Sequence, residues 1–176
     1  VATGAAVDRA AVEAGVHAIE RLGLRVRVGR SVFARQGYFA GSDEARASDL
    51  IEMLEADEVR AIHFARGGWG MSRILGEIPW KNLAKRPKLL IGYSDLTSLF
   101  APALDRAGLS GVYGPLGTEL GHADKFDRAS LVRAYFHPRR PLTIAIPRGG
   151  VWLEGTAEGR AAGGCLTLLA HLAGTP

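Results

Sequence analysis

The sequence predicts an α/β fold: a mostly parallel sheet with helices on both faces. Three observations predict it. Short apolar runs, VRAIHFA (59–65), KLLIG (88–92) and SGVYG (110–114), alternate with segments that are apolar every third or fourth residue. The first run is followed at once by glycines and reads as a strand buried on both sides, as parallel strands are. Strands separated by amphipathic helices are joined most simply as βαβ units.

Each element follows in order. Residues 6–22 place Val12, Val16 and Ile19 on one face, with Ala11 and Leu22 beside them, which is helical spacing. Gly15 lies in that stripe, where it weakens the helix slightly but permits close packing, and Gly23 is a C-cap. LRVRVG (24–29) alternates and reads as a strand. Ser42 or Asp43 caps a helix over EARASDLIEMLEA. Strand 59–65 is followed by a short helix, GMSRILGEI, and a loop, WKNLAKRP. KLLIG is the next strand. DLTSLFAPALDRAG is the next helix, with Pro102 a potential kink. SGVYG is a further strand, and DKFDRASLVRAYF a helix that stops at HPRRP.

After Pro141 the character changes. LTIAIP and VWLEG read as extended segments around a glycine turn, and GGCLTLLAHLAG as a helix. The sequence therefore divides into an α/β domain over 1–140 and the beginning of a second domain over 141–176.

Composition narrows the function. Apolar residues make up 47% and charged residues 23%, a globular balance and not a disordered one. Lys and Arg exceed Asp and Glu by only 22 to 18, without a basic block interleaved with aromatics, so nucleic acid is not an expected partner. Arg139-Arg140 sits between prolines and reads as a solvated linker. Cys165 is the single cysteine, which fits a reducing compartment. No apolar run is long enough to span a bilayer, and the N-terminal residues lack a signal-peptide pattern. No Cys/His spacing suggests a metal, and no cofactor is expected.

Two stretches carry chemistry. Ser94, in LIGYSDLTSL, stands where a strand ends and a helix begins, the edge at which open α/β sheets bind ligands. A sharp turn there lifts the side chain off the sheet, as in the nucleophile elbow of serine hydrolases, and Gly92 leaves the turn uncrowded. Leu96 stands where a G-x-S-x-G elbow has its last glycine. Ser and Asp are also favoured N-caps, and the stretch by itself fits a cap better than a nucleophile. The second stretch is ARGGWGMS (65–72), again between strand and helix. Gly67, Gly68 and Gly70 let the backbone approach a ligand, as an oxyanion hole or an anion cradle, or form a plain tight turn. It is neither G-x-G-x-x-G nor a Walker motif.

Taken together, ARGGWG (65–70), LIGYSDLTSL (90–99), GVYGP (111–115), EGRAAGGCLTLLAHLAGTP (158–176) and YFAGSDEARASDL (38–50) resemble the LD-carboxypeptidases. These are cytoplasmic serine peptidases that include muramoyltetrapeptide carboxypeptidase and microcin-immunity peptidases. The resemblance implies a flavodoxin-like N-terminal domain and a smaller β-rich C-terminal domain. It implies that Ser94 is the nucleophile and that the backbone N–H groups of Gly68 and Asp95 hold the oxyanion. It also implies a murein-tetrapeptide-like substrate and a homodimer. Cys165 departs from the family pattern, since it replaces an asparagine; within its apolar helix start it is expected to fill core. The family's first strand would precede Val1 and its catalytic Glu and His would follow Pro176, so the chain reads as part of a longer enzyme.

Arg66, Trp69 and Tyr113 are candidate substrate contacts: a bidentate donor for a carboxylate, and two aromatic surfaces. Trp69 and Tyr113 serve equally as covers for the sheet edge, and Arg66 as a partner for a structural acid. His17, His63, His122, His137 and His171 are not at the family's catalytic position, and His63, within a strand, reads as a core histidine. Glu154 and Glu158 read as solvated carboxylates. The competing reading is a non-catalytic module that binds a small anion at ARGGWG, with Ser94 a cap.

Overall fold

In a computed structural model, the described residues are 1–122, 125–137, 150 and 153–175. Three parallel strands form the sheet in the order β1 (Ala61–His63), β2 (Leu89–Gly92), β3 (Val112–Tyr113). β1 is in register with β2 through Ile62 opposite Leu90, and β2 with β3 through Ile91 opposite Val112. Seven α-helices surround it among the described residues: α1 (Arg9–Glu20), α2 (Asp43–Glu55), α3 (Met71–Ile74), α4 (Trp80–Lys85), α5 (Thr97–Ala107), α6 (Lys125–Phe136) and α7 (Leu166–Leu172).

Side-chain alternation along the strands divides the core into two layers. Ile62 and Leu90 pack with Leu50, Met71, Leu83 and Leu99, from α2, α3, α4 and α5. Ala61, Leu89 and Ile91 face the other way, towards Ile19 of α1 and Leu131 and Tyr135 of α6. Helices therefore cover both faces, as the apolar strands predicted. α1 begins at Asp8, whose carboxylate accepts from the Ala11 amide at 2.9 Å, and ends before Gly23, at φ 82°. Ser42 is the cap of α2, accepting from the Ala45 amide at 3.2 Å. Lys88 closes the other end of α2 by donating to the carbonyls of Ala56 and Val59 at 2.6 and 2.7 Å.

Two expectations change. Residues 24–29 form no strand. Val26 and Val28 line a cavity of about 820 Å³ together with Ala61, Ile62 and His63, and the segment is not a strand of the sheet. What reaches the edge of β1 is Val1, whose ammonium donates to the His63 carbonyl at 3.1 Å while its carbonyl accepts from Ala65 at 2.7 Å. WKNLAKRP is not a loop: Trp80 and Leu83, three apart, both pack into the core, and this one-sided anchorage winds residues 80–85 into α4. α5 runs from Thr97 to Ala107 with Pro102 inside it.

The expected linker at Arg139-Arg140, the extended segment LTIAIP and the start of VWLEG lie outside the described residues, as does the domain boundary near residue 140. Among the described residues, no helix is long and apolar enough to cross a membrane.

Candidate active site

β2 ends at Gly92 and the chain turns through Tyr93 into a single 3-10 turn, Ser94–Leu96, that continues into α5. Gly92 is buried at the start of this turn; a Cβ there would lie 3.2 Å from the Leu96 side chain and 3.3 Å from that of Phe64. Ser94 has φ 62°, and among the described residues it is the one non-glycine residue with positive φ. A left-handed serine costs about 1–2 kcal/mol relative to ordinary backbone. A simple N-cap does not need that conformation, because capping residues sit in the extended region. No side-chain cap hydrogen bond is made here: the Thr97 amide donates to the backbone carbonyls of Asp95 and Ser94. Ser94 is half-buried, and its own amide donates to the Tyr113 hydroxyl at 3.2 Å.

The glycine loop lies directly against this serine. A Cβ on Gly67 would sit 3.2 Å from Ser94 Cβ and 3.5 Å from Ser94 Oγ. Gly68 and Gly70 have φ of 106° and 152°, which L side chains rarely adopt. Any side chain at 68 would also overlap the Tyr38 hydroxyl and Ala5. The two loops inferred from sequence are thus brought together at the carboxyl ends of adjacent strands.

Buried charges fix the loop in place. Asp95 is 1% exposed; its Oδ2 accepts from the Met71 amide at 2.9 Å and its Oδ1 is left without a partner. Burial holds the carboxyl above the usual carboxylate range, opposed by hydrogen bonds from the Met71 and Gly70 amides and by the charge of Arg46. Arg46, wholly buried, donates through Nη1 to the Gly70 carbonyl at 3.1 Å and to the Thr3 carbonyl, and through Nη2 to Asp43.

The rim is aromatic. Trp69 is 46% exposed and Tyr113 51%; Tyr113 is the one whose hydroxyl reaches the Ser94 amide. Tyr113 packs edge-on to Tyr93, at 5.9 Å between centroids, and Trp69 against Phe39 at 5.8 Å. Arg66 is exposed and one of its nitrogens donates to the Ala6 carbonyl at 2.8 Å, so part of its guanidinium serves the scaffold. Tyr38, whose hydroxyl overlies Gly68, was missed from sequence, although it lies in a stretch that matches the family; so were the roles of Arg46 and of the Asp95 side chain. An acid immediately after Ser94, between an apolar strand and an amphipathic helix, was the available signal for Asp95.

Among the described residues, no hydrogen bond joins a histidine to Ser94. His63 has both ring nitrogens engaged, by the Tyr135 hydroxyl and the Pro115 carbonyl, each at 2.7 Å. Burial lowers its pKa to about 4. It is a core histidine, as the strand predicted. Glu154 and Glu158 are exposed. Cys165 does not fill core: it is half-buried at the N-terminus of α7, a helix without a buried residue, and its amide donates to Thr97 Oγ1 at 2.9 Å.

Comparison with known proteins gives this geometry a family. Residues 1–114 match the family model described as LD-carboxypeptidase N-terminal domain. The chain is 38% identical over 168 residues to a probable murein peptide carboxypeptidase of Bacillus subtilis, covering 90% of this chain and 50% of that protein. It is 31% identical over 185 residues to the murein tetrapeptide carboxypeptidase of Pseudomonas aeruginosa, covering 99% and 59%. Among solved structures it superposes on muramoyltetrapeptide carboxypeptidase from Oxalobacter formigenes with a TM-score of 0.80 at 25% identity, covering 99% of this chain and 59% of that one. MccF in complex with glutamyl sulfamoyl guanosine shares the fold, with a TM-score of 0.85 at 20% identity, covering 98% and 61%. The chain spans between half and about three fifths of the length of these relatives, from their N-terminal portion. It belongs to the LD-carboxypeptidase family.

Proposed function

We propose that this chain is the nucleophile-bearing part of a cytoplasmic serine LD-carboxypeptidase that acts on murein tetrapeptides or related peptide amides. In this reading residues 1–140 form a flavodoxin-like domain and residues 141–176 open a smaller β-rich one. Ser94 Oγ attacks the carbonyl of the bond that follows an L-residue. The bond to the terminal D-amino acid breaks, the amine leaves with a proton, and water then hydrolyses the acyl-enzyme. The backbone amides of Gly68 and Asp95 stabilise the oxyanion, a contribution whose loss costs about 10²–10³ in rate for one donor. Arg66, Trp69 and Tyr113 contact the substrate. A serine hydroxyl needs a base within hydrogen-bond reach, and here a His oriented by a Glu, both supplied from outside this chain, fills that role.

The observation that carries the reading is the left-handed Ser94 with the glycine loop against its side chain. Strain of this kind concentrates at functional sites, and it disfavours the alternative in which Ser94 caps a helix in an anion-binding module. The test is D-alanine release from a murein tetrapeptide. The chain alone releases little or none. A chimera that joins the downstream half of the Bacillus subtilis relative after Thr175 releases it, and Ser94→Ala abolishes the release. A folded chimera that is inactive, or whose activity survives Ser94→Ala, counts against the reading. The homodimer that the family resemblance implies is checked by sedimentation of the same chimera.

A further inference from the structure

We propose that the Asp95 carboxylate is a positioning residue, which ties the glycine loop to the residue after the nucleophile and so sets where the Gly68 amide stands relative to Ser94. The inference rests on the serine-hydrolase reading of Ser94 but concerns a group that does not touch substrate.

Three observations carry it. First, the Asp95 side chain points away from solvent, into the junction between Ser94 and α3, where Oδ2 accepts from Met71 N at 2.9 Å. Met71 is the first residue of α3 and lies three residues after Gly68, so this bond fixes the far end of the loop to the elbow. Second, the loop is held on its other side by Arg46, whose guanidinium takes the Gly70 carbonyl and the Thr3 carbonyl. The single peptide group between Gly70 and Met71 is therefore gripped at its N–H by a carboxylate and at its carbonyl by a cation. The N-terminal segment closes on the same place: Ala5 N donates to the Gly67 carbonyl at 3.2 Å, and a Cβ on Gly4 would lie 3.0 Å from Asp95 Oδ2. Third, Asp95 Oδ1 is buried without a partner. A scaffold gains nothing from such an atom, because an unsatisfied buried polar group costs stability. A carboxylate kept there is explained by what Oδ2 holds.

The test uses 15N-labelled chain and phenylboronate. The probe forms a bond from Ser94 Oγ to boron, the hydroxyl proton passes to buffer, and the tetrahedral boronate anion occupies the place of the oxyanion. Asp95→Leu keeps the branched shape and removes the acceptor, whereas Asp95→Asn keeps an acceptor. Asp95→Leu is expected to speed amide exchange over residues 68–71 and to weaken the adduct, each by about tenfold, the equivalent of one lost hydrogen bond. Asp95→Asn is expected to stay within about threefold of the parent, since it exchanges a charge-assisted bond for a neutral one. Exchange at Val12 in α1 serves as the control and stays unchanged. The proposal is overturned if Asp95→Leu matches the parent in both readouts, or if Asp95→Asn falls as far as Asp95→Leu. Should Asp95→Leu not fold, the parent decides: the Met71 amide proton shift must follow a carboxyl titration that vanishes in Asp95→Asn, and a flat profile overturns the proposal. Failure of the parent to form the adduct, or an adduct that survives Ser94→Ala, strikes the serine-hydrolase reading instead, and the exchange and titration readouts still decide the role of Asp95.

Discussion

The Ser94 backbone amide donates to the Tyr113 hydroxyl across the β2–β3 crossing, at 3.2 Å. The end of β3 thereby supports the turn that carries Ser94. The bond is exposed, so water replaces it readily. Tyr113→Phe is expected to cost at most about 0.5 kcal/mol, the low end for a hydrogen bond, read as a small shift in the urea midpoint. A loss of several times that would mean that the hydroxyl holds the elbow in shape.

Ser94→Gly separates stability from function. Glycine adopts φ 62° without the Cβ penalty, so the variant is expected to gain about 1 kcal/mol in chemical denaturation. It also loses the hydroxyl, and with it boronate adduct formation and the D-alanine release of the chimera. A destabilised Ser94→Gly would show that the serine side chain stabilises the fold.

Arg46 is expected to tolerate no replacement. Arg46→Lys keeps the charge but loses the planar fork that serves the Thr3 and Gly70 carbonyls and Asp43 together. It is expected to destabilise by about 1–3 kcal/mol, the order of a buried polar group left unsatisfied, measured by urea denaturation. An unchanged midpoint would contradict the role given to this side chain.

Acid is expected to destabilise the fold through His63. Burial, with the nearby Val1 ammonium adding to it, lowers the folded-state pKa to about 4 from 6.5. The unfolded state therefore takes up the proton first. The stability contributed by the neutral ring is complete above pH 6.5 and is lost as pH falls through about 4. Denaturation midpoints between pH 8 and 4 check this, and His63→Gln should flatten the decline.

Gly15→Ala tests the seam between α1 and the 3-10 turn Gly117–Glu119. A Cβ at residue 15 would overlap the Gly117 carbonyl. Overpacking of this kind costs about 1–3 kcal/mol and outweighs the 0.5–1 kcal/mol or so that alanine adds to helix propensity. The expected result is a lower thermal midpoint.

The close packing at Gly15 was legible because a glycine in an apolar helical stripe has few other reasons to be there. Ser94 was legible as a residue at a strand-to-helix turn, but its φ was not, and that angle separates an elbow from a cap. Residues 24–29 show the limit of periodicity: alternation marks what a segment would do with a neighbour at the sheet edge, and here the neighbour of β1 is Val1. In α4 the turn-like flanks concealed the apolar pair Trp80 and Leu83. Arg46 reads as a surface residue in any helix, and only the fold brings the carbonyls of Thr3 and Gly70 to it.

The serine and its glycines rest on a floor of buried residues, whereas Tyr38, Trp69 and Tyr113 stand half in solvent around it. Selection can therefore exchange the rim with little penalty in folding, while the floor admits almost no substitution. Under the proposed function, a lineage built on this plan would diversify in what it recognises long before it changed how it reacts.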